Sequence, residues 1–537
     1  MLGVLAPLIF ISCVVIASRD VISTEQLRTL QKRFDSYYND NDSISVKGIT
    51  IGGWLVSEPY ITPSLYRNAS ELAAKSGNNS EIIDEFTFCD VLGYEQAQSL
   101  LQDHWESWIN EADFKQISDD GFNLVRIPIG YWAWKQDYET NRYVGNITYT
   151  DPYVGNGLQL KYLEKALSWA EQYSLNVWID LHGAPSSQNG FDNSGERDLY
   201  STKLGWLATS GSRDLTMAVW QSIFESYLNL NTNSPIVGIE IMNEPLSPKL
   251  DSDQMTHCFY EAFKLFKDEQ ASHDNTTFVI HDAFKEIGYW NLQFNPDYNN
   301  VSSQFTNISN LSFSSQDVLI DHHHYEVFTD SQLNNTQYQR ILNIMNYGDS
   351  IYDELPYHAA VVGEWSAAIT DCATWLNGVG IGSRYDGSYY NTTEFNTTDQ
   401  PVGKCLSQQP IGNWTKQYRT QVRQFVEAQL ATYSTRTSGW IFWNWKTEDA
   451  AEWDYLKLKE NNLFPSPFDN YTYFDTDGGL KPSVSSSLSK EATATSKSSA
   501  VAIQRPFQAV QWQHFSLTLN TIIGTSLVAI MLVCIFL

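Results

Sequence analysis

Short β-branched or aromatic runs recur eight times between roughly residues 40 and 480, each followed by a stretch long enough for a helix. The runs are Lys47–Leu55, Asn123–Gly130, Asn176–Gly183, Ile236–Glu244, Phe278–Ala283, Val318–Tyr325, Ala359–Trp365 and Gly439–Trp445. Helical periodicity fills intervening stretches, as in Leu160–Tyr173 (LKYLEKALSWAEQY) and Trp414–Thr432. Strands alternating with helices pair in parallel, because each crossover returns the chain to the same end of the sheet. Eight of them match a closed (β/α)8 barrel of the α/β class, a TIM barrel with surface-loop insertions, better than an open sheet. Spacing alone does not separate the two.

The informative positions are the carboxyl ends of these runs, which converge on one face if the barrel closes. Glu58 follows the first run, Arg126 and Tyr131 lie around the second, and His182 ends the third. Asn243-Glu244-Pro245 ends the fourth, His322-His323-His324-Tyr325 the sixth, Glu364-Trp365 the seventh and Trp445 the eighth. Polar groups closing apolar strands lose hydration unless they are paired, so their recurrence at one relative position is a signal. Two carboxylates so placed suit glycoside hydrolysis. One holds a proton for the leaving oxygen, and the other stays ionised, helped by a neighbour such as Arg126, to attack the anomeric carbon. Three adjacent histidines invite a metal reading, but neighbouring strand residues face opposite ways, so they cannot all ligate one ion. No Cys/His spacing resembles a metal site, and no cofactor or metal is expected.

The formal net charge of −28 and pI near 4.6 argue against nucleic-acid binding, for which no basic patch is present. Residues 1–18 contain the apolar run LGVLAPLIFISCVVIA, too short for a membrane span and read as a signal peptide despite lacking an n-region Lys or Arg. Residues 19–40 read as a pro-segment or linker, with Lys32-Arg33 as a candidate dibasic site, and 41–482 as the barrel domain. Residues 483–514 read as a structureless Ser/Thr-rich stalk and spacer, and 515–537 as a hydrophobic tail ending IIGTSLVAIMLVCIFL. With Ser498 and Ser499 as small-residue attachment candidates, this end fits a GPI signal better than a single span. Asn-x-Ser/Thr sequons are dense (Asn41, Asn68, Asn78, Asn146, Asn275, Asn300, Asn307, Asn310, Asn334, Asn391, Asn396, Asn413, Asn470), as in a glycosylated, exported chain. Six cysteines are few for this length. Cys372 and Cys405 flank a Gly/Tyr/Asn-rich loop and are the expected disulfide, whereas Cys89 and Cys258 are candidate buried thiols.

The segments GGWLVSEPYITPSLY (52–66), RIPIGYWAW (126–134), DLHGAPSSQNGFDNSG (180–195), IEIMNEP (239–245), DHHHYEVF (321–328), GEWSAAITDCATWLNG (363–378) and WIFWNWKTE (440–448) together resemble the fungal exo-β-1,3-glucanases of glycoside hydrolase family 5. The resemblance runs over about residues 45–475. It implies Glu244 as proton donor, Glu364 as nucleophile and Asn243 on the sugar 2-hydroxyl. Arg126, His182, His323 and Tyr325 would surround the glycone subsite, with Tyr325 bonded to the nucleophile. Glu58, Asp192, Asn193 and Trp445 would bind sugar, Trp445 as the floor, and Phe191 and Phe328 would clamp the leaving-group side. A second disulfide of such relatives has no counterpart at Ile344-Met345-Asn346, and Asn291–Ser315 is an expanded loop. The implied protein is a monomeric cell-surface enzyme that releases glucose from non-reducing ends of β-1,3-glucan, with transfer to acceptor sugars as a second outcome. Two other readings stay open: another linkage, such as β-1,6-glucan, on the same barrel, and an anchored glucan-binding protein without turnover. Single residues keep structural readings too: His322, more than His182, as a core histidine, and Glu58 as a surface ion-pair partner.

Overall fold

The computed structural model describes residues 46–134, 150–230, 234–272, 274–296, 313–389 and 401–502. The signal, pro-segment and tail assignments, Lys32-Arg33 and most of the Asn-rich loop lie outside them. The chain divides into two units, residues 1–485 and 486–537. No helix among the described residues is long and apolar enough to cross a membrane.

Eight parallel strands close into a barrel in sequence order. They are β1 (Val46–Thr50), β2 (Leu124–Gly130), β3 (Asn176–Gly183), β4 (Ile236–Glu240), β5 (Thr277–His281), β6 (Val318–His323), β7 (Ala359–Trp365) and β8 (Gly439–Phe442). β8 pairs back onto β1, with Val46 opposite Gly439, so no edge is left open. β3 and β7 have the bounds read from sequence. β1, β4, β5, β6 and β8 end two to five residues early, because the chain leaves the ladder to carry side chains into the mouth. The β1–β2 crossover holds four helices, Pro63–Lys75, Glu85–Leu92, Tyr94–Trp108 and Glu111–Asp119.

The barrel is filled in layers. An apolar plug of Val46, Leu124, Trp178, Val279, Leu319, Ala359, Val361 and Ile441 closes its amino-terminal half. Gly238 makes room for this plug, since a Cβ there would meet the Trp178 indole at 2.6 Å. Further along the same strands come the buried polar side chains Thr50, Arg126, Asp180, Glu240 and Asp321. Asp321 lies against Gly363, where a Cβ would sit 2.0 Å from its carboxylate.

Cys372 and Cys405 form the expected disulfide, and Cys89 and Cys258 are buried outside any disulfide. The structureless stalk is corrected: residues Pro482–Ala502 form a helix. Pro482 fits its first position, and Ala492, Ala494, Ala500 and Ala502 with Lys490, Glu491 and Lys497 supply helix propensity against the serines and threonines.

His322 takes the structural role. Its Nδ1 lies 2.8 Å from Asp282 Oδ2 and its Nε2 2.7 Å from Glu354 Oε2, tying the turn after β5 to the helix Gln337–Glu354. Burial disfavours the imidazolium, but the hydrogen bonds to Asp282 and Glu354 prevail and push its pKa up to about 10. The folded pKa is raised, so this stabilisation is complete below the unfolded value of about 6.5 and disappears as the pH climbs toward the folded one. Urea denaturation should therefore show wild type losing on the order of 3 kcal/mol between pH 7 and 10, and His322→Gln losing much less over that window.

Candidate active site

Arg126 on β2 is fully buried and holds the mouth together. Its Nε donates to Glu240 Oε2 at 2.8 Å, Nη1 to Glu364 Oε1 at 2.7 Å and Nη2 to Asn243 Oδ1 at 2.8 Å, with Asp180 Oδ2 3.2 Å from Nη2. Burial opposes the charge, but Asp180, Glu240 and Glu364 outweigh it and keep the guanidinium charged. A planar fork with five donors is suited to holding several acceptors at fixed angles.

Glu364, on β7, has a donor on each oxygen: Arg126 on Oε1 and the Tyr325 hydroxyl, at 2.8 Å, on Oε2. Glu244 lies four residues past the end of β4 with φ 46°, a left-handed conformation that costs a non-glycine residue energy and is concentrated at functional sites. Asn243 N–H bonded to Leu181 O at 3.0 Å, and Gln188 Nε2 bonded to the Asn243 and His182 carbonyls, hold this excursion in place. Asn193 Nδ2 donates to Glu244 Oε2 at 3.0 Å. His323 Nδ1 lies 2.8 Å from Glu244 Oε1 and 3.3 Å from Glu364 Oε2. Those two oxygens are thus no farther apart than 2.8 Å and 3.3 Å laid end to end. That upper bound for this one oxygen pair lies below the roughly 6.5–9.5 Å between carboxyl groups of inverting enzymes and above the roughly 5–5.5 Å of retaining ones.

One proton is shared across this trio. Burial raises Glu364 above the ordinary carboxylate range, more than His323 and Arg126 lower it. Burial acts on Glu244 too, but the His323 hydrogen bond and charge, with Asn193, hold it below that range. His323 is pushed well up, against its own burial, by Glu364, Asp321 and Glu244. In the unliganded site these directions are the reverse of the expected division of roles, with Glu364 raised and Glu244 lowered, and the titration belongs to the group rather than to either glutamate.

The comparisons with known proteins bear on this constellation. The family model described as Cellulase (glycosyl hydrolase family 5) matches residues 89–280. Glucan 1,3-beta-glucosidase 2 of Saccharomyces cerevisiae is 63% identical over 483 residues, 90% of this chain and 86% of that one. Glucan 1,3-beta-glucosidase 2 of Candida albicans is 41% identical over 85% of this chain and 88% of its own. The chain is a member of the glucan 1,3-beta-glucosidase family, within glycosyl hydrolase family 5. A crystal structure of rutinosidase from Aspergillus niger, 18% identical, shares the fold with a TM-score of 0.53 over 80% of this chain and all of that one.

The remaining expected site residues are placed as follows. His182 is buried, its Nδ1 2.7 Å from Asp180 Oδ2 and its Nε2 3.5 Å from Asn243 Nδ2. Glu58 is buried rather than a surface ion-pair partner, and its Oε1 makes no hydrogen bond among the described residues. Asp192 Oδ2 is likewise buried and unbonded. Burial pushes Glu58 well above its ordinary range, with the charges of Asp192, Glu364 and Glu244 adding to it, and pushes Asp192 up to about 7. Phe191 is partly exposed, and Phe328 is exposed, 5.6 Å from Tyr325 between ring centroids. Trp445 departs from the expectation: it is fully buried, donates its indole N–H to Asp113 Oδ1 at 2.9 Å and stacks on Tyr455. Trp443 lies at the mouth instead: its ring is parallel to His182 at 5.6 Å and its Nε1 donates to the Tyr60 hydroxyl. Because β8 ends at Phe442, the next residue reaches the mouth and the one two further on has already turned back toward the helices.

Sequence reading also passed over Tyr60, Asp180, Glu240, His281 and Asp321, although the polar pair His281-Asp282 closes an apolar strand as the recognised residues do. Two groupings, Glu244 with His281 and His323, and Glu240 with Asp321 and His323, bring possible metal-ligand atoms within 4.8 Å of one another. His281 has given its Nδ1 lone pair to the Ala283 N–H at 2.9 Å, and His323 Nδ1 lies 2.8 Å from Glu244 and 3.3 Å from Glu364. The three consecutive histidines diverge: His322 to Asp282 and Glu354, His323 into the mouth and His324 to Tyr433. Trp443→Ala should lower kcat/KM by roughly tenfold or more, about 1.4 kcal/mol of transition-state binding. Trp445→Phe should lower Tm and leave kcat/KM nearly unchanged, and steady-state kinetics with thermal melts separates the two.

Proposed function

We propose that this protein is a retaining glycoside hydrolase that removes glucose from the non-reducing ends of β-1,3-glucan. The observation that carries the reading is His323 Nδ1 2.8 Å from Glu244 and 3.3 Å from Glu364, which brings two differently held carboxylates together at the barrel mouth. Glu364, fixed by Arg126 and Tyr325, attacks the anomeric carbon. As that bond forms, the carbon–oxygen bond to the leaving sugar breaks, and its electron pair takes the proton that Glu244 delivers. Glu244, now a carboxylate, then removes a proton from water, whose oxygen bonds the anomeric carbon while Glu364 departs with its electron pair. An acceptor sugar hydroxyl in place of water gives transglycosylation.

Exo action is supported by the names of the relatives, which are glucosidases acting on a glucan. The linkage follows the names of the relatives. Export, N-glycosylation and a GPI anchor at the cell surface, with a monomeric enzyme, complete the proposal. They rest on the apolar ends, the Ser498-Ser499 pair and the sequons, of which Asn68, Asn275, Asn334, Asn413 and Asn470 are exposed.

A time course on linear β-1,3-glucan with the anomeric form recorded tests this reading. Glucose should appear first, as the β-anomer, and Glu364→Gln should abolish it. Oligosaccharides as first products would exclude exo action, α-glucose would exclude retention, and faster release from β-1,6-glucan would move the specificity. Binding without hydrolysis would favour the non-catalytic reading.

A further inference from the structure

His281 ends β5, buried completely, directly beside the acid–base pair. Its ring meets His323 edge to face, 4.3 Å between centroids at 77°. One of its nitrogens lies within 4.8 Å of a Glu244 carboxylate oxygen and of a His323 nitrogen. Nδ1 accepts the Ala283 N–H at 2.9 Å, which fixes the tautomer: in the neutral ring the proton is on Nε2. Asp282 Oδ1 is 3.6 Å from Nδ1, too far for a hydrogen bond, and already accepts from Phe284 N–H at 2.7 Å. Nε2 itself bonds to nothing among the described residues. A buried donor left unspent destabilises a fold, so this one is retained at a cost.

The turn that holds it is also strained. Ala283 and Phe284 both have left-handed φ, 58° and 55°, and the turn is pinned by Asp282, which accepts from Phe284 and faces His322. Every strand packed around the pair presents a titratable group: Arg126 from β2, His182 from β3, Glu244 after β4, Asp321 and His322 from β6, and Glu364 from β7. Burial first, and then the neighbouring charges of His323, Arg126 and His322, keep His281 neutral. It is a fixed, uncharged N–H that does not compete for the shared proton.

We propose that His281 is a positioning residue for acid–base catalysis, whose Nε2–H is held in reserve for the Glu244 carboxylate. In the resting site Glu244 is hydrogen-bonded to His323 Nδ1 and Asn193 Nδ2. During glycosylation Glu244 gives its proton to the leaving oxygen and is left a carboxylate. The unspent N–H of His281 supports that new charge, an interaction gained after the ground state and therefore one that raises kcat rather than binding. This role rests on the glycosidase reading, with Glu244 as the acid.

The test pairs His281→Met with His281→Gln. The two side chains have similar length, but only Gln returns an N–H near the position of Nε2. Without the donor, the deprotonated trio is less stable and its proton is lost at higher pH. The basic limb of the kcat profile should move up by about one unit in the Met variant, a tenfold change in the protonation equilibrium, and kcat should fall with KM little changed. The Gln variant should keep the limb in place. Equal shifts in both variants, or none in Met, would overturn the proposal. Should the Met variant fail to fold, histidine-labelled wild type read by nitrogen NMR decides: a neutral Nε2–H ring across pH 5–8 is required, and an Nδ1–H tautomer or a titration in that range overturns the proposal. An inactive wild type would remove the glycosidase reading and this role with it, whereas an active wild type with an unmoved Met profile removes this role alone.

Discussion

The guanidinium of Arg126 is the interaction on which the rest of the site depends. It is a buried cation that spends its hydrogen bonds on Glu240, Glu364 and Asn243 and lies against Asp180. Breaking such a group by removing one partner leaves charge without compensation, at about 3–5 kcal/mol. Its fixed angles give Glu364 one orientation, and its reach to Asn243 sets the residue immediately before Glu244. One side chain on β2 therefore couples the ends of β3, β4 and β7.

That arrangement is stable only because of what lies on either side of it. The apolar plug in the amino-terminal half of the barrel buries Trp178, Leu319, Ile441 and their neighbours, while Gly238 and Gly363 open the space that Trp178 and Asp321 fill. The plug supplies the favourable burial, and the layer above it holds charges that water would otherwise solvate. Among those polar groups, oxygens of Thr50, Asp180, Glu240 and Asp321 make no hydrogen bond among the described residues, so the layer is not optimised for stability. Its geometry serves His323, which Asp321 approaches from below at 3.6 Å and the two glutamates from above.

The fold was legible because a barrel repeats itself: eight apolar runs at helical intervals, each closed by a polar group, carry the same message many times over. The convergence of Glu244 and Glu364 was legible for the same reason, since both stand where strand ends meet. Legibility failed where the chain departs from regular structure. The run ending at Glu244 leaves the ladder at Glu240, and the run read to Trp445 leaves it at Phe442, since periodicity does not show where a strand stops; the resemblance had placed Trp445 in the site, where the structure has Trp443 beside His182. His281 was missed because one histidine in an apolar strand looks like core, and its meaning depends on a tautomer set by the next turn. In the 483–499 segment, serine and threonine content suggested an unstructured stalk, while interspersed alanine, lysine and glutamate sustain a helix.

The central claim is that Glu364, held by Arg126 and Tyr325 a short distance from Glu244, becomes covalently bonded to the sugar. The most direct measurement is mass spectrometry of a proteolytic digest after incubation with an activated 2-deoxy-2-fluoroglucoside, which slows the second step and lets the intermediate accumulate. The account predicts a single sugar adduct on the peptide containing Glu364, formed at the rate at which activity is lost. An adduct on Glu244 or any other residue, or full inhibition with no adduct, would contradict it.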